Sequence, residues 1–337
     1  KQVSKKELFK NLYYLRNQPN AIPYITSYYK KRWGLCISYN QFKKMDKKYS
    51  NNDNFKVFIK SSFKNNGYLN YGELILKGKS KTEILISTYI CHPSMANDNL
   101  SGIIVSMALI NFFSSRKNNK SIRFLFLPET IGSIAYISKN LNMLKKNVIG
   151  GYILSCIGDD KNHSCMFTKY GDTISDDCLR QTYKQKKINY KTYSFLHRGS
   201  DERQFCSPGI DLPLASIFRT KYGEFPEYHN SLDNFNLVTL KGLRGGFAIA
   251  KQSILNLDNR IIPIAKHICE PQLGKRGLYK LLSEKNVIDN QDCWKILDFL
   301  QYADGKNDIS KIAKYINLDT KIVKKLYSFL VGKKLLQ

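Results

Sequence analysis

Four apolar runs, "ILISTYI", "IRFLFLP", "GGYILSCIG" and "DLPLASIF", recur from Lys81 onward with helix-forming stretches between them. They constrain the fold more than any other feature. Each is apolar on both sides of an extended chain, so each strand needs cover above and below. Leu100 to Phe113 is apolar at helical spacing, a second helix spans Gly132 to Leu144, and a third runs from Thr239 to Leu257. Strands alternating with helices predict an α/β domain with a mostly parallel sheet covered by helices on both faces. Asn97, Asp98 and Asn99 stand just ahead of the first of these helices and are predicted to cap it.

The flanks read differently. Lys5 to Arg16 has helical spacing and ends before the turn cluster "NQPN". Trp33 to Leu76 reads as short strands and turns, with "FKVFIKSSF" and "YLNYGELIL" joined by "KNNG". At the other end, Cys293 to Gln301, Ile309 to Ile316 and Lys321 to Leu330 form three short helices in the layout of a winged helix-turn-helix. The expected division is residues 1–78 as an N-terminal segment with part of a β-rich inserted module, 79–262 as the catalytic α/β domain, and 263–337 as a linker and winged helix.

The polar residues that follow the strands carry the chemistry. His92 and Asp98 follow the first run, Glu129 the second, Asp159 and Asp160 the third, and His229 the fourth. In an open α/β sheet, ligands bind beyond the carboxyl ends of the strands. Two imidazoles and several carboxylates gathered there suit zinc, whose catalytic sites keep one position open for water and acidify it. Glu129 is placed to take the proton from that water. Alone, Asp98 reads as a helix cap, Glu129 as a helix-entry carboxylate, and Asp159–Asp160 as a turn; their joint placement favours the metal. A cysteine hydrolase is the rival reading, because Cys91 and His92 are neighbours. Adjacent side chains on an extended strand point to opposite faces, which argues against contact between them and puts Cys91 in the sheet. No G-x-S-x-G elbow is present for a serine hydrolase.

Charge and cysteines bear on partners and compartment. The chain carries a net charge of +27, and the first 80 residues hold 17 basic against 4 acidic side chains. Such a surplus attracts nucleic acid, anionic surfaces or phosphorylated substrates, or simply decorates solvated faces. The last 67 residues hold 13 basic against 7 acidic side chains, close to the chain's average density, whereas a DNA reader concentrates charge on its recognition helix. Specific nucleic-acid binding is therefore not expected. Eight scattered cysteines without a CxxC pair point to free thiols and a cytoplasmic location. No apolar run reaches the length of a membrane span, and nothing reads as a signal peptide, although the numbering opens on Lys1 rather than Met.

With these residues in view, "ISTYICHPSMANDNLSG", "PETIGS", "RGSDERQFCSPGIDLP" and "GEFPEYHNSLDN" resemble a bacterial aminopeptidase-like family found with surface-polysaccharide and secondary-metabolite genes. That family is similar to the two-zinc leucyl-aminopeptidase-type exopeptidases. "IPYITSYYKKRWGLC", "EPQLGKRGLY" and the winged helix resemble it too. The resemblance covers nearly the whole chain and implies further sequence ahead of Lys1. By motif it makes His92 a ligand of one zinc, Asp98 the bridge between two, His229 a ligand of the other, and Glu129 the general base.

Two departures leave one or two zinc ions per chain open. Thr130 stands where the family's second glutamate, a zinc ligand, belongs. Ser155 takes about the place of an aspartate, with Asp159 and Asp160 following later. Asp201 and Glu202 fall at an Ser-Asp-His turn of the exopeptidases and either line the pocket or supply a ligand; Thr130 and Tyr228 join them as substrate contacts. The expectation is a zinc-dependent amide hydrolase acting on a small, anionic biosynthetic or polysaccharide-related intermediate, in a homo-oligomer. The alternatives are a ligand-sensing DNA-binding regulator and a catalytically altered binding protein on an exopeptidase scaffold.

Overall fold

The computed structural model describes residues 1–27, 30–278 and 290–336. Tyr28, Tyr29 and Tyr279, which belong to two of the motifs above, fall outside the described residues. Lys1–Leu255 forms one compact unit and Asn256–Gln337 another.

The first unit opens with strand β1 (Gln2–Ser4), helix α1 (Lys5–Lys10), strands β2 (Leu12–Tyr13) and β3 (Leu35–Cys36), helix α2 (Tyr39–Lys48) and strand β4 (Asn54–Lys56). The helix expected over Lys5 to Arg16 stops at Lys10, because Leu12 and Tyr13 pair in parallel with Leu35 and Cys36. Strand pairing here overrides helical spacing. Within the stretch expected to hold only strands and turns, α2 is a helix. Ser38 accepts from the Gln41 N–H, and the Gln41 side chain accepts from the Ser38 N–H. That reciprocal cap is written in the sequence as S-x-x-Q.

The central sheet has seven strands: β5 (Gly72–Leu76), β6 (Ser80–Tyr89), β7 (Lys120–Leu127), β8 (Val148–Leu154), β9 (Ser164–Met166), β10 (Lys191–Tyr193) and β11 (Leu214–Phe218). They lie in the order β10-β9-β11-β8-β6-β7-β5. β6 is parallel to β7 and β8, β11 is parallel to β8, and β10 is parallel to β9. β5 and β9 run antiparallel to β7 and β11. The sheet is thus mostly parallel, and Gly72–Leu76, read from sequence within the N-terminal module, is its edge strand.

Helices α3 (Ser101–Ser114), α4 (Ile131–Asn147), α5 (Ile174–Lys186) and α7 (Leu240–Asp258) flank the sheet, and a single turn, α6 (Glu202–Phe205), precedes β11. The strand interiors are buried throughout, with Ile84, Leu85, Phe124, Leu127, Tyr152, Ile153 and Ile217 in the core. One buried charge group breaks this pattern. Arg123 on β7 donates through Nε and Nη2 to Glu83 on β6, at 2.6 and 2.8 Å, and also pairs with Glu73 on β5. Paired in this way, the guanidinium can stay in the interior.

The second unit holds α8 (Asn290–Gln301), α9 (Ile309–Tyr315) and α10 (Thr320–Gly332) around a core that includes Phe299, Ile312, Val323 and Leu330. Asp308 and Asp319 cap α9 and α10 by accepting backbone N–H bonds. Ala265 forms an antiparallel bridge with Leu336, closing the C-terminal end onto the entering chain. This is the winged helix-turn-helix layout. Among the described residues no helix is long and apolar enough to cross a membrane, and none of the eight cysteines is in a disulfide.

Candidate metal centre

Strand β6 ends at Tyr89, and the chain then crosses the carboxyl edge of the sheet as Ile90–Met95 before a wide turn over Ala96–Leu100. Asn97, Asp98 and Asn99 do not cap α3, as the sequence suggested; neither the turn nor α3 has a side-chain cap. Their side chains make tertiary ties instead. Asn97 donates to Asp159 (3.2 Å) and accepts from the Gly158 N–H (2.8 Å). Asn99 donates to Thr88 Oγ1 (2.8 Å) and to the Tyr89 carbonyl (3.1 Å). Gly102 makes room for this: a Cβ there would lie 2.5 Å from both Asn99 Oδ1 and Thr88 Oγ1. Nothing larger fits without moving the loop.

From the far side, Asp233 grips the same turn. Its two carboxylate oxygens accept from the Asn97 N–H (2.5 Å) and the Asp98 N–H (2.9 Å). Asp233 lies in the quoted motif "EYHNSLDN" but was given no role from sequence; four residues after His229, it locks the two ligand loops together. Burial pushes its carboxyl up to about 6, against the pull of the N–H donors.

The result is a cluster of His92, Asp98 and His229 whose ligand atoms all lie within 4.8 Å of one another. Asp98 is 1% exposed. Its Oδ2 sits 3.1 Å from His229 Nε2, yet neither atom makes a hydrogen bond. Two buried polar atoms face each other with no other hydrogen-bond partner, and a divalent cation held between them and His92 would satisfy both. Oδ1 of Asp98 accepts from the Tyr89 hydroxyl, which burial and the Asp98 charge keep firmly protonated. Burial also lowers the His92 pKa, keeping the neutral imidazole that ligates metal, although Asp98 pulls the other way. The residues fit zinc.

Glu129 is the neighbouring carboxylate, with Oε2 4.0 Å from His92 Nε2. Burial, followed by the charges of Asp201, Asp98 and Glu202, pushes its carboxyl up to about 8. A cation at the cluster would oppose that shift.

Cys91 corrects the sequence argument. Its Sγ lies 3.3 Å from His92 Nδ1 and accepts from the Glu129 N–H at 3.1 Å. The opposite-face rule fails because the strand has already ended at Tyr89. Burial pushes the thiol up to about 11, so Cys91 braces His92 and the Glu129 backbone and is a poor nucleophile.

The remaining candidates lie outside the cluster. Asp159 is buried, with every oxygen occupied: Oδ1 accepts from the Thr220 hydroxyl (2.6 Å) and the Lys161 N–H (3.0 Å), and Oδ2 from the Thr220 N–H (2.9 Å) and Asn97. It is a latch, and Asp160 is exposed beside it. Asp201 Oδ1 accepts from the Thr130 N–H (2.7 Å) and the Ser133 hydroxyl (2.9 Å), tying down the start of α4. Glu202 Oε1 accepts from the Gly199 and Ser200 N–H groups and from Tyr222. Thr130 accepts a bond from Arg203 (2.7 Å). Tyr228 stacks on His229 with ring centroids 3.9 Å apart.

Sequence reading gave no role to Tyr24 either. Ala21–Tyr24 runs antiparallel to His229–Ser231, with the Tyr24 N–H donating to the His229 carbonyl and the Ser231 N–H to Ile22. Tyr24 thereby reaches both imidazoles, 5.5 Å from His229 and 6.0 Å from His92 between ring centroids. A cavity of about 270 Å³ opens beside His92, walled by Ile90, Met95, Leu100, Ile103 and Phe235.

Sheet order and strand-end cluster together define an aminopeptidase-like α/β protein that carries a winged helix unit. Residues 19–260 match a family described as a domain of unknown function, DUF4910, and residues 261–337 match a winged helix-turn-helix family. The chain belongs to the DUF4910 family. It is 37% identical over 325 residues, 96% of its length, to a Clostridium acetobutylicum protein named for polysaccharide biosynthesis and an aminopeptidase-like domain, of which it covers 73%. A crystal structure titled as a peptidase from Clostridium acetobutylicum superposes over 100% of this chain and 75% of its own, at 36% identity and a TM-score of 0.74. An aminopeptidase from Aneurinibacillus sp. strain AM-1 aligns with 55% of this chain and 47% of its own, at 20% identity and a TM-score of 0.48. So slight a likeness says nothing of the chemistry, which rests on the residues themselves.

Proposed function

We propose that this protein is a zinc-dependent amide hydrolase whose ion is held by His92, Asp98 and His229. The observation that carries the reading is the buried, unbonded pair formed by Asp98 Oδ2 and His229 Nε2, with His92 completing the cluster and Glu129 beside it. A zinc ion there would supply Lewis acidity, polarising a carbonyl and acidifying water. Glu129 Oε2 takes the proton from the attacking water and returns it to the departing amine. Cys91 orients both groups, holding His92 through Nδ1 and Glu129 through its backbone N–H. The apolar wall beside His92 receives an apolar part of the substrate and keeps water away from the scissile bond. Thr130, Asp201 and Glu202 brace the loops around the site, and Tyr228 stacks on His229; none of them binds the ion in this reading.

The name of the Clostridium acetobutylicum relative favours a small intermediate of polysaccharide biosynthesis over a bulk peptide, and the net charge of +27 suits an anionic remainder on that molecule. Eight free thiols fit a reducing, cytoplasmic setting. The test is elemental analysis of protein purified without chelators, alongside Asp98→Ala and a panel of amide substrates. Bound zinc and amide cleavage, both lost in Asp98→Ala, support the reading. No zinc after supplementation sinks it.

A further inference from the structure

The two oxygens of Asp98 are treated unequally. Oδ2 is buried, makes no hydrogen bond and lies 3.1 Å from His229 Nε2. Oδ1 accepts the Tyr89 hydroxyl proton, and the Tyr89 oxygen lies 2.8 Å from Ser155 Oγ, at the end of β8. Tyr89 is 2% exposed and Ser155 0%, so no solvent molecule competes for these bonds.

A carboxylate that bridges two cations through both of its oxygens needs open space for a cation beside each of them. At Asp98 the space beside Oδ1 is taken by the buried phenol of Tyr89, backed by a serine that follows the neighbouring strand. Among the described residues, the only group of three or more metal-ligating side chains contains His92, Asp98 and His229. The side of the carboxylate that faces β8 therefore presents neutral hydroxyls where a second cation would need charged or lone-pair donors that are still free.

We propose that the site holds one divalent cation, and that Tyr89, braced by Ser155, is a positioning residue that confines Asp98 to that single ion. The proposal rests on the metal reading above and adds to it the number of ions and the residue that sets it. Tyr89 acts in two ways. Its bond to Oδ1 fixes the rotation of the carboxylate, so that Oδ2 points at His92 and His229. Its volume fills the space against Ser155. Partners one step behind a metal ligand commonly change metal affinity by about 10- to 100-fold when removed.

The experiment is a calorimetric titration of the chelator-stripped full chain with zinc, with stoichiometry checked by elemental analysis after dialysis. The wild-type protein, Tyr89→Phe and Ser155→Ala are compared, and thermal melts report whether each variant is folded. One zinc per chain in the wild type, with affinity about 10- to 100-fold weaker in Tyr89→Phe at unchanged stoichiometry and a smaller loss in Ser155→Ala, supports the proposal. Two tightly held zinc ions in the wild type overturn it and leave the hydrolase reading standing. No zinc in the wild type removes both. A folded Tyr89→Phe that binds zinc as tightly as the wild type ends the positioning role of Tyr89. The wild-type stoichiometry tests the ion count even if the variants do not fold.

Discussion

Asp98 and Asp159 invite comparison. Both follow parallel strands at the carboxyl edge of the sheet, both are about 1% exposed, and they are linked through Asn97. Asp159 spends all its bonding capacity on Thr220, Lys161 and Asn97. Asp98 keeps an oxygen unbonded, facing His229. Position at a strand end therefore does not make a carboxylate a ligand. What decides is whether the surrounding backbone and hydroxyl donors have already consumed its lone pairs. The latch in turn serves Asp98, since Asp159 helps hold the Asn97 that precedes it.

The sharpest way to break that contrast is at the third strand-end carboxylate. Glu129→Gln keeps size and packing but removes the base, so kcat for amide cleavage should fall by about 10²- to 10⁴-fold while zinc content stays at the wild-type level. Loss of zinc in that variant would move Glu129 into the ligand set. Asp159→Ala tests the latch. Stripping four donors of their acceptor in a buried site should cost about 3 kcal/mol, seen as a lower midpoint in denaturant titrations, with zinc still bound by whatever fraction is folded. If Asp159→Ala stays stable yet loses zinc, the two carboxylates have been assigned the wrong way round.

The smallest effect concerns pH beside the latch. His163 contacts Arg219, which donates to the Asp159 carbonyl at 2.7 Å. Burial, aided by the Arg219 charge, lowers the His163 pKa from 6.5 to about 4. Its stabilising contribution is therefore complete above pH 6.5, where it is neutral in both states. The contribution is lost as pH falls from 6.5 towards about 4, because the unfolded chain takes up the proton first. The stability of His163→Gln should decline less steeply than the wild type across that window. Parallel slopes would remove His163 from the acid response.

Much of this was legible because it depends on local pattern. The apolar runs at Ile84, Ile122, Gly151 and Leu214 are strands in the structure, and each stretch between them holds a helix, the last with the short strands β9 and β10 besides. His92, Asp98 and His229, which the structure brings together, are singled out by their recurrence at strand ends and by the motifs that contain them. The S-x-x-Q cap of α2 was also local, and it was passed over in favour of a strand reading. Other features could not be read this way. That Gly72–Leu76 joins the sheet edge depends on pairing with Phe124 and its neighbours some fifty residues on. That Cys91 touches His92 depends on where the strand stops, which spacing alone does not reveal.

The sequence by itself determined the alternation of strand and helix, and hence the edge at which chemistry could gather, because side-chain periodicity acts over a few residues. It also determined which residue types reach that edge. Only the tertiary structure decided which of them remain available. Asp159 was satisfied by Thr220 from sixty residues away, one oxygen of Asp201 by the start of α4, and one oxygen of Asp98 by Tyr89; Asp201 Oδ2 is also unbonded, but only Asp98 sits in a cluster with imidazoles. Hydrogen-bond satisfaction is a property of neighbours in space, and a buried carboxylate becomes a ligand only where those neighbours leave it a lone pair.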